Sequence, residues 1–225
     1  MKPAAIIVFC LCASPATANP ITQVPYDQVA RTTSGLIDFE SFPVLPEPGQ
    51  VISSTFQTPG ALVGSALVGQ TLGTKDTFAV LVGQPTSPIR VEPTPPRPPI
   101  AIAFHAGFGS NAAFPIGPNG FAQRSGRGEG TLAINFDAPI PSFALRLHLD
   151  YDDPLGSRPS PGSVWLHFYG VDATLLHVEH LTPAHGVHSF GFLSTAPISA
   201  ITLSHQDPGG IAIDDIRYSL DSHTN

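Results

Sequence analysis

The sequence is short of cysteine, of lysine and of positive charge. Its cysteines are Cys10 and Cys12, and Lys75 is the only lysine beyond residue 18. The formal charge is -7, with 10 Lys and Arg against 17 Asp and Glu. A chain without a basic stripe cannot neutralise many phosphates, so we expect neither nucleic acid nor an anionic membrane surface as a partner.

Helical periodicity is also missing, and the residues that interrupt regular elements are abundant. The chain holds 21 Gly and 25 Pro among 225 residues, whereas 42% of its residues are hydrophobic. This composition excludes a coiled coil or a long helical bundle and argues against simple disorder. It predicts one β-rich, loop-rich domain.

The first 18 residues have the pattern of a secretory signal peptide. Lys2 precedes an apolar core from Ala4 to Ala13, and Ala16 to Ala18 supplies small residues at the cleavage positions. The apolar core has about half the length that a membrane-spanning helix needs. Removal of the segment takes both cysteines with it. We therefore expect a secreted protein, extracellular or periplasmic, with no disulfide and no membrane anchor.

Short runs of Val, Ile, Phe and Thr, bounded by Gly or Pro, predict strands along the rest of the chain. In Phe143 to Leu149 and in Val164 to Tyr169, every second side chain is a large apolar one. Between Gly107 and Gly130, seven glycines with little periodicity predict a long irregular loop instead. The whole pattern predicts an all-β fold, a single domain in which two antiparallel sheets form a jelly-roll sandwich.

The domain is expected to cover residues 35–220, after a polar leader over residues 19–34 and before a short tail over residues 221–225. We expect a monomer.

Several stretches of this chain resemble a known group of proteins. The series GRGEGTLAINFDAP, VWLHFYGVDATLLH, GFLSTAPISAITLS and GGIAIDDIRYS, with LIDFESFP and PGQVISSTFQTPGALV before it, resembles secreted bacterial jelly-roll proteins associated with PEP-CTERM sorting signals. More distantly, it resembles carbohydrate-binding modules of the galactose-binding-like sandwich type. Such bacterial proteins commonly end in a Pro-Glu-Pro motif, an apolar helix and a basic tail, whereas this chain ends at Asn225 without them. We therefore expect release rather than anchoring.

The resemblance also implies a structural calcium where the first and last strands meet. Its ligands would be Asp38 and Glu40 together with Asp214 and Asp215. Ca²⁺ takes about six to eight oxygen ligands, so it can hold several carboxylates side by side. Asp38 and Glu40 would share one strand face, whereas Asp214 and Asp215 would point in opposite directions. The alternative is four ordinary solvent-facing acids, one of them paired with Arg217.

Aromatic and histidine side chains predict a recognition face for a ligand. Trp165, His167 and Tyr169 alternate with apolar residues, and Tyr151 and His148 lie nearby in the pattern. Sugar rings stack on aromatic faces, while polar neighbours fix their hydroxyl groups. The alternative is that a second sheet or a loop covers these aromatic residues, which would then belong to the core.

These features favour a secreted, non-catalytic module that binds extracellular glycan or belongs to a surface matrix. No hydrolase elbow, zinc-peptidase helix or phosphate-binding loop stands in a suitable context, so no nucleotide cofactor is expected. One alternative is a polysaccharide hydrolase, whose cleft would consist of Asp150, Asp152, Asp153 and Glu179. Another is a structural adhesion protein that self-associates through the Pro-rich connector from Glu92 to Pro99 and the Gly-rich loop.

Overall fold

The structure, a computed structural model, describes residues 19–149 and 162–220. Several sequence-based predictions lie outside the described residues: the signal peptide, the tail, the ligand-binding role of Tyr151, and the hydrolase carboxylates Asp150, Asp152 and Asp153.

The described residues form fourteen strands, one α-helix and one short 3-10 helix. The strands are β1 (Ile21–Val24), β2 (Gly35–Ile37), β3 (Gln50–Ile52), β4 (Phe56–Thr58), β5 (Ala61–Gly64), β6 (Thr71–Lys75), β7 (Phe78–Val82), β8 (Ile100–His105), β9 (Ser110–Pro115), β10 (Leu132–Leu149), β11 (Val164–Tyr169), β12 (Leu175–Leu181), β13 (Gly186–His205) and β14 (Ile211–Tyr218). The α-helix, α1, spans Tyr26–Ala30, and the 3-10 helix spans Arg124–Gly126. Neither helix in this part of the chain is long and apolar enough to cross a bilayer.

Two long strands, β10 and β13, run through both sheets of a sandwich. In the first sheet, residues 132–135 of β10 pair with residues 200–203 of β13, with β5 and β4 on one side and β11 and β12 on the other. In the second sheet, residues 142–149 of β10 pair with residues 186–193 of β13. There β1 lies beyond β13, while β14, β9, β8 and β3 follow β10, and β2 also pairs with β14. All these pairs are antiparallel.

The core lies between the two sheets and is built from alternating side chains. Phe143, Leu145, Leu147 and Leu149 face it from β10, and Val164, Leu166 and Phe168 face it from β11; all are buried. The rings of Phe143 and Phe168 meet edge to face, with centroids 6.3 Å apart. Burial of such side chains contributes about 1.5–3 kcal/mol each. The predicted all-β, two-sheet antiparallel jelly-roll sandwich is confirmed.

The structure corrects the prediction of a polar leader over residues 19–34. This segment contains β1, which pairs with β13 from Ile21↔Ser194 to Val24↔Gly191, and α1, whose Val29 is fully buried. Its few apolar residues are too widely spaced to show the two-residue period of a strand. The conformation of β1 is therefore determined by its pairing with β13. The sandwich therefore begins before residue 35.

The structure also corrects the prediction of an irregular loop from Gly107 to Gly130. Residues 110–115 form β9, which pairs with β8 from Ile100↔Pro115 to His105↔Ser110. The sequence of β9 includes alanine and asparagine, which have little intrinsic preference for strands, so packing against a neighbour decides its conformation. Residues 107–109 form the turn that leads into β9, and residues 116–130 form a wall above the second sheet.

Candidate functional site

The acidic residues predicted to bind calcium lie where β2 meets β14, but the first two are not on a strand. β2 ends at Ile37, and Phe39 has a φ of 58°, which turns the chain between Asp38 and Glu40. The Oδ1 atom of Asp38 accepts a hydrogen bond from the Glu40 backbone N–H at 3.2 Å. Glu40 Oε1 accepts one from the Asn111 N–H at 2.8 Å. The prediction that Asp38 and Glu40 share a strand face is therefore wrong.

Asp214 and Asp215 are engaged by different partners. Asp214 is 1% exposed, and its Oδ2 accepts a hydrogen bond from Ser110 Oγ at 2.6 Å. Burial raises the pKa of Asp214 to about 6. Asp215 forms an ion pair with Arg146, with Oδ2 and Nη1 2.9 Å apart. Within residues 19–149 and 162–220, no group of three or more His, Cys, Asp or Glu is arranged to hold a metal ion. Calcium stays a prediction.

The residues of the predicted recognition face on β11 have different environments. The half-buried Trp165 ring lies parallel to the ring of His180 on β12, with centroids 5.2 Å apart and planes inclined by 7°. His167 is also half-buried, and burial lowers the pKa of its imidazole. Tyr169 is 2% exposed, and its hydroxyl accepts a hydrogen bond from Gln70 Nε2 at 3.2 Å.

The burial of Tyr169 has a local cause. Leu67 and Val91, from the segment that carries the β6–β7 hairpin, pack over it on the outer side of the first sheet. This segment places Tyr169 in the core, so the predicted role of Tyr169 in an open recognition face is wrong. Trp165 and His167 keep part of their surface exposed.

His148, also predicted to bind the ligand, lies on the other sheet. It projects from the outer face of β10, where its ring centroid is 4.4 Å from that of His105 on β8. The predicted ligand-binding residues in the described part of the chain therefore belong to two surfaces rather than one. The hydrolase carboxylate Glu179 is distant from His148 in the topology, since it lies on β12 and bonds to His177 with Oε2 and Nε2 3.0 Å apart.

A cleft with a volume of about 500 Å³ surrounds His148 on the outer face of the second sheet. His105, Phe114, His148 and Ala212 supply its floor from β8, β9, β10 and β14. Residues 123–129 form one wall and residues 208–211 form the other. Glu47 stands at its rim. The volume falls in the range of small-molecule sites, about 300–1,000 Å³.

Small residues on the outer face of the second sheet leave room for this cleft. The outward side chains of the neighbouring strands include Ala101, Ala103, Ala112 and Ala212. The wall approaches β14 closely at Gly128, which has a φ of 98°; a Cβ there would lie 2.8 Å from the Ile211 backbone nitrogen. Only glycine fits this approach. The alanines therefore leave space above the sheet, and Gly128 allows the wall beside that space to lie close to β14.

His105 is an uncharged polar group in the cleft floor near neutral pH. It is 1% exposed, and its Nδ1 accepts a hydrogen bond from the Phe108 backbone N–H at 3.3 Å. Burial, followed by the neighbouring His148, lowers its pKa to about 4. A neutral imidazole can both donate and accept a hydrogen bond, so His105 brings polarity without charge.

Glu129 is the buried acid of the cleft wall. It is 4% exposed, and within the described part of the chain its Oε2 atom has no hydrogen-bond partner. Burial raises its pKa to about 7, and the charge of Asp207 adds to the effect. The carboxyl group is therefore mostly protonated below pH 7. In that state it can donate a hydrogen bond, which a carboxylate cannot do.

Asp207 and His205 support the wall opposite Glu129. Asp207 is fully buried; its Oδ1 accepts a hydrogen bond from Gly209 N–H at 2.9 Å and its Oδ2 one from Gly162 N–H at 3.3 Å. Its own N–H donates to His205 Nδ1 at 3.0 Å. These bonds fix the turn that leads into residues 208–211. Asp207 thus shapes the cleft without lining it.

Two arginines lie on the wall beside Glu129. Arg124 is exposed and begins the 3-10 helix. Arg127 donates from Nε to the Phe121 carbonyl at 2.9 Å, and its guanidinium carbon lies 5.6 Å from the centroid of the Phe121 ring. These contacts use the backbone and a ring, so they leave the positive charge of Arg127 uncompensated.

Glu129 and the two arginines were not predicted from the sequence as members of a site. A signal existed, because Glu129 is the only acidic residue between Glu92 and Asp137 and has glycine on both sides. An isolated acid in a glycine-rich loop is an unusual feature, and long loops are frequent positions for functional groups.

Comparisons with known proteins give little beyond this geometry. No protein-family model matches the sequence. No curated protein matches it either. The chain is similar to a solved structure of a mutant family 29 carbohydrate-binding module studied for ligand recognition, with 12% sequence identity and a TM-score of 0.33. That similarity covers 54% of this chain and 76% of the other. At this level it supports no conclusion about function.

Proposed function

We propose that this protein is a secreted binding module whose cleft on the second sheet holds a saccharide. The observation that carries the proposal is the convergence of Glu129, His105 and His148 with the apolar side chains of Phe114 and Ala212, which share the floor with the two histidines. Small-molecule sites typically combine such a floor with a few placed polar groups. The hydroxyl groups of a sugar need both hydrogen-bond donors and acceptors as partners. Uncharged side chains supply both without selecting for a charged ligand.

The floor suits the apolar face of a sugar ring. Phe114 lies in the floor, and the Phe108 ring lies 4.8 Å from that of His105, centroid to centroid. Aromatic surfaces bind the C–H faces of sugars, while the polar rim fixes the orientation of their hydroxyl groups. Gln123 and Ser125 are exposed in the cleft wall and can reach such hydroxyl groups. Binding without turnover is the activity we propose.

The test is binding to a panel of soluble polysaccharides, measured by affinity electrophoresis and calorimetry. The double variant Gln123→Ala with Ser125→Ala removes polar groups of the wall without touching the core. We expect binding to weaken about tenfold, since two hydrogen bonds contribute about 1–3 kcal/mol together. The matched control is Gln28→Ala with Ser34→Ala, which changes the same exposed residue types away from the cleft.

Two outcomes would contradict the proposal. Equal losses in the cleft variant and the control would show that the cleft does not bind the saccharide. Loss in Trp165→Ala alone would place the ligand on the outer face of the first sheet, beside His180. A reducing-sugar assay on the same panel tests the non-catalytic part, because hydrolysis would release new reducing ends.

A further inference from the structure

Two arginines on one cleft wall are unusual in a chain that has so few basic residues. The protein has 10 Lys and Arg against 17 Asp and Glu, yet Arg124 and Arg127 lie three residues apart on one cleft wall. In the part of the chain that the structure describes, neither is paired with a carboxylate. Arg31 and Arg146, in contrast, pair with Asp27 and Asp215. Guanidinium groups left unpaired at a cleft favour an anionic ligand.

The acid beside them does not oppose an anion. Glu129 is buried in the same wall, where its protonated form is favoured and adds no negative charge. Its Oε2 atom has no partner among the described residues, so a hydrogen-bonding group of a ligand could satisfy it. A buried polar group without a partner is costly in a folded protein and commonly marks a functional position.

The other charged groups around Glu129 leave this balance in place. Asp207 does not line the cleft, and its carboxylate accepts hydrogen bonds from two backbone N–H groups, while burial lowers the pKa of His105 to about 4. Glu47 is at the exposed rim, where solvent screens its charge. The cleft lining therefore offers a ligand the carboxyl group of Glu129 and two guanidinium groups, those of the exposed Arg124 and the partly buried Arg127.

We propose that the ligand of the cleft is an acidic saccharide, whose carboxylate or sulfate group pairs with Arg124 and Arg127 while Glu129 donates a hydrogen bond to it. This inference rests on the proposed function and adds the chemical class of the ligand. Arginine forks bind planar and tetrahedral oxyanions through paired N–H groups, which makes them suited to both kinds of anion.

The test compares polymers that differ only in charge. Polygalacturonate and its fully methyl-esterified form share one backbone, and the ester lacks the carboxylate. We expect the purified protein to bind polygalacturonate at least about tenfold more tightly than the ester in about 0.15 M salt, as expected for a paired oxyanion. A sulfated and an unsulfated galactan form a second pair, which distinguishes a sulfate from a carboxylate as the preferred anion.

Arg124→Ala supplies the variant test. It should weaken binding of the acidic polymer about fivefold or more, the loss expected for one charge-assisted contact, and so reduce the preference for the acidic polymer over its neutral partner. The matched control is Arg90→Ala, an exposed arginine outside the cleft, which changes the net charge by the same amount. Circular dichroism and the unfolding midpoint confirm that both variants fold.

The outcomes separate this inference from the proposed function. Equal binding of charged and neutral polymers, or equal losses in Arg124→Ala and Arg90→Ala, would overturn the acidic-saccharide inference and leave saccharide binding intact. Failure to bind any polymer of either pair would overturn both. Preference for both acidic polymers, lost only in Arg124→Ala, is the result that we expect.

Discussion

The imidazole rings of His105 and His148 lie 4.4 Å apart, centroid to centroid, although 43 residues separate them in the chain. β8 and β10 bring them together on the outer face of the second sheet. Two buried imidazoles at this distance cannot both carry a proton without strong repulsion. Burial lowers the pKa of His105 to about 4, so this ring adds polarity without charge to the cleft floor near neutral pH.

Binding of an acidic saccharide should weaken as Glu129 loses its proton. The pKa of Glu129 is about 7, so each further pH unit above it lowers the protonated fraction about tenfold. Glu129→Gln keeps a neutral donor in the same place, and its affinity should be nearly constant from about pH 6 to pH 8. Calorimetric titrations with polygalacturonate at several pH values measure both. An unchanged wild-type affinity across this range would contradict the role of Glu129.

The same carboxyl group should make the folded protein less stable at neutral pH than at about pH 4.5. Its pKa is about 7 when folded, compared with an ordinary value of 4.5, so the folded state holds a proton that the unfolded chain has lost. The stability linked to this proton is fully present below pH 4.5, and the free energy of unfolding falls as the pH rises from 4.5 to about 7.

Glu129→Gln removes this pH-dependent loss of stability, because glutamine does not titrate. Relative to the wild type, the variant should gain stability between about pH 5 and pH 8, by on the order of 3 kcal/mol. Urea unfolding of both proteins at the two pH values measures the difference. Parallel pH profiles of the two proteins would show that Glu129 titrates at its ordinary value.

Alternation along single strands was sufficient to predict the core faces of β10 and β11, because each side chain there contacts the opposite sheet directly. It could not predict that residues 132–149 form one strand. Pro139 and Pro141 interrupt the pattern, and proline lacks a backbone donor, so the sequence indicates two strands. In the structure these prolines lie where the register with β13 shifts, between Asn135 and Ser142.

The candidate site was harder to predict for a different reason. Alternation places Tyr169 on the outer side of its strand, but it carries no information about Leu67, which covers that side from a hundred residues away. Glu129 and His148 likewise line one cleft only because the wall approaches the sheet closely at Gly128. Contacts between distant segments depend on topology, which local periodicity does not specify.

His205 should make the protein sensitive to mild acid. Burial lowers its pKa to about 4 from an ordinary 6.5, so the unfolded chain binds a proton that the folded chain does not. The stability that this provides is complete above pH 6.5 and is lost as the pH falls towards 4. His205→Asn keeps an acceptor for the Asp207 N–H but cannot titrate.

The free energy of unfolding of His205→Asn should fall less steeply than that of the wild type as the pH is lowered. The slope of its free energy of unfolding against pH should be smaller than that of the wild type by up to about 1.4 kcal/mol per pH unit, the value for one proton. His180→Asn, at an exposed position, is the control and should not change the slope in this way. A slope unchanged by His205→Asn would assign the acid sensitivity to other groups.

The predicted calcium can be tested against the contacts that its ligands already make. Asp38, Glu40 and Asp215 accept hydrogen bonds or an ion pair from protein groups, which bound calcium would have to replace. We therefore expect weak binding, with a dissociation constant of about 1 mM, as in other extracellular modules. A ligand at about ten times that concentration stabilises the folded state by about 1.4 kcal/mol. For a domain of this size, the unfolding midpoint should rise by roughly 3–5 °C between EDTA and millimolar CaCl₂.

Asp214→Asn should abolish the rise, whereas Asp27→Asn, an exposed acid in α1, should retain it. A midpoint that calcium does not move would show the prediction to be wrong, and a rise that persists in Asp214→Asn would place the ion elsewhere.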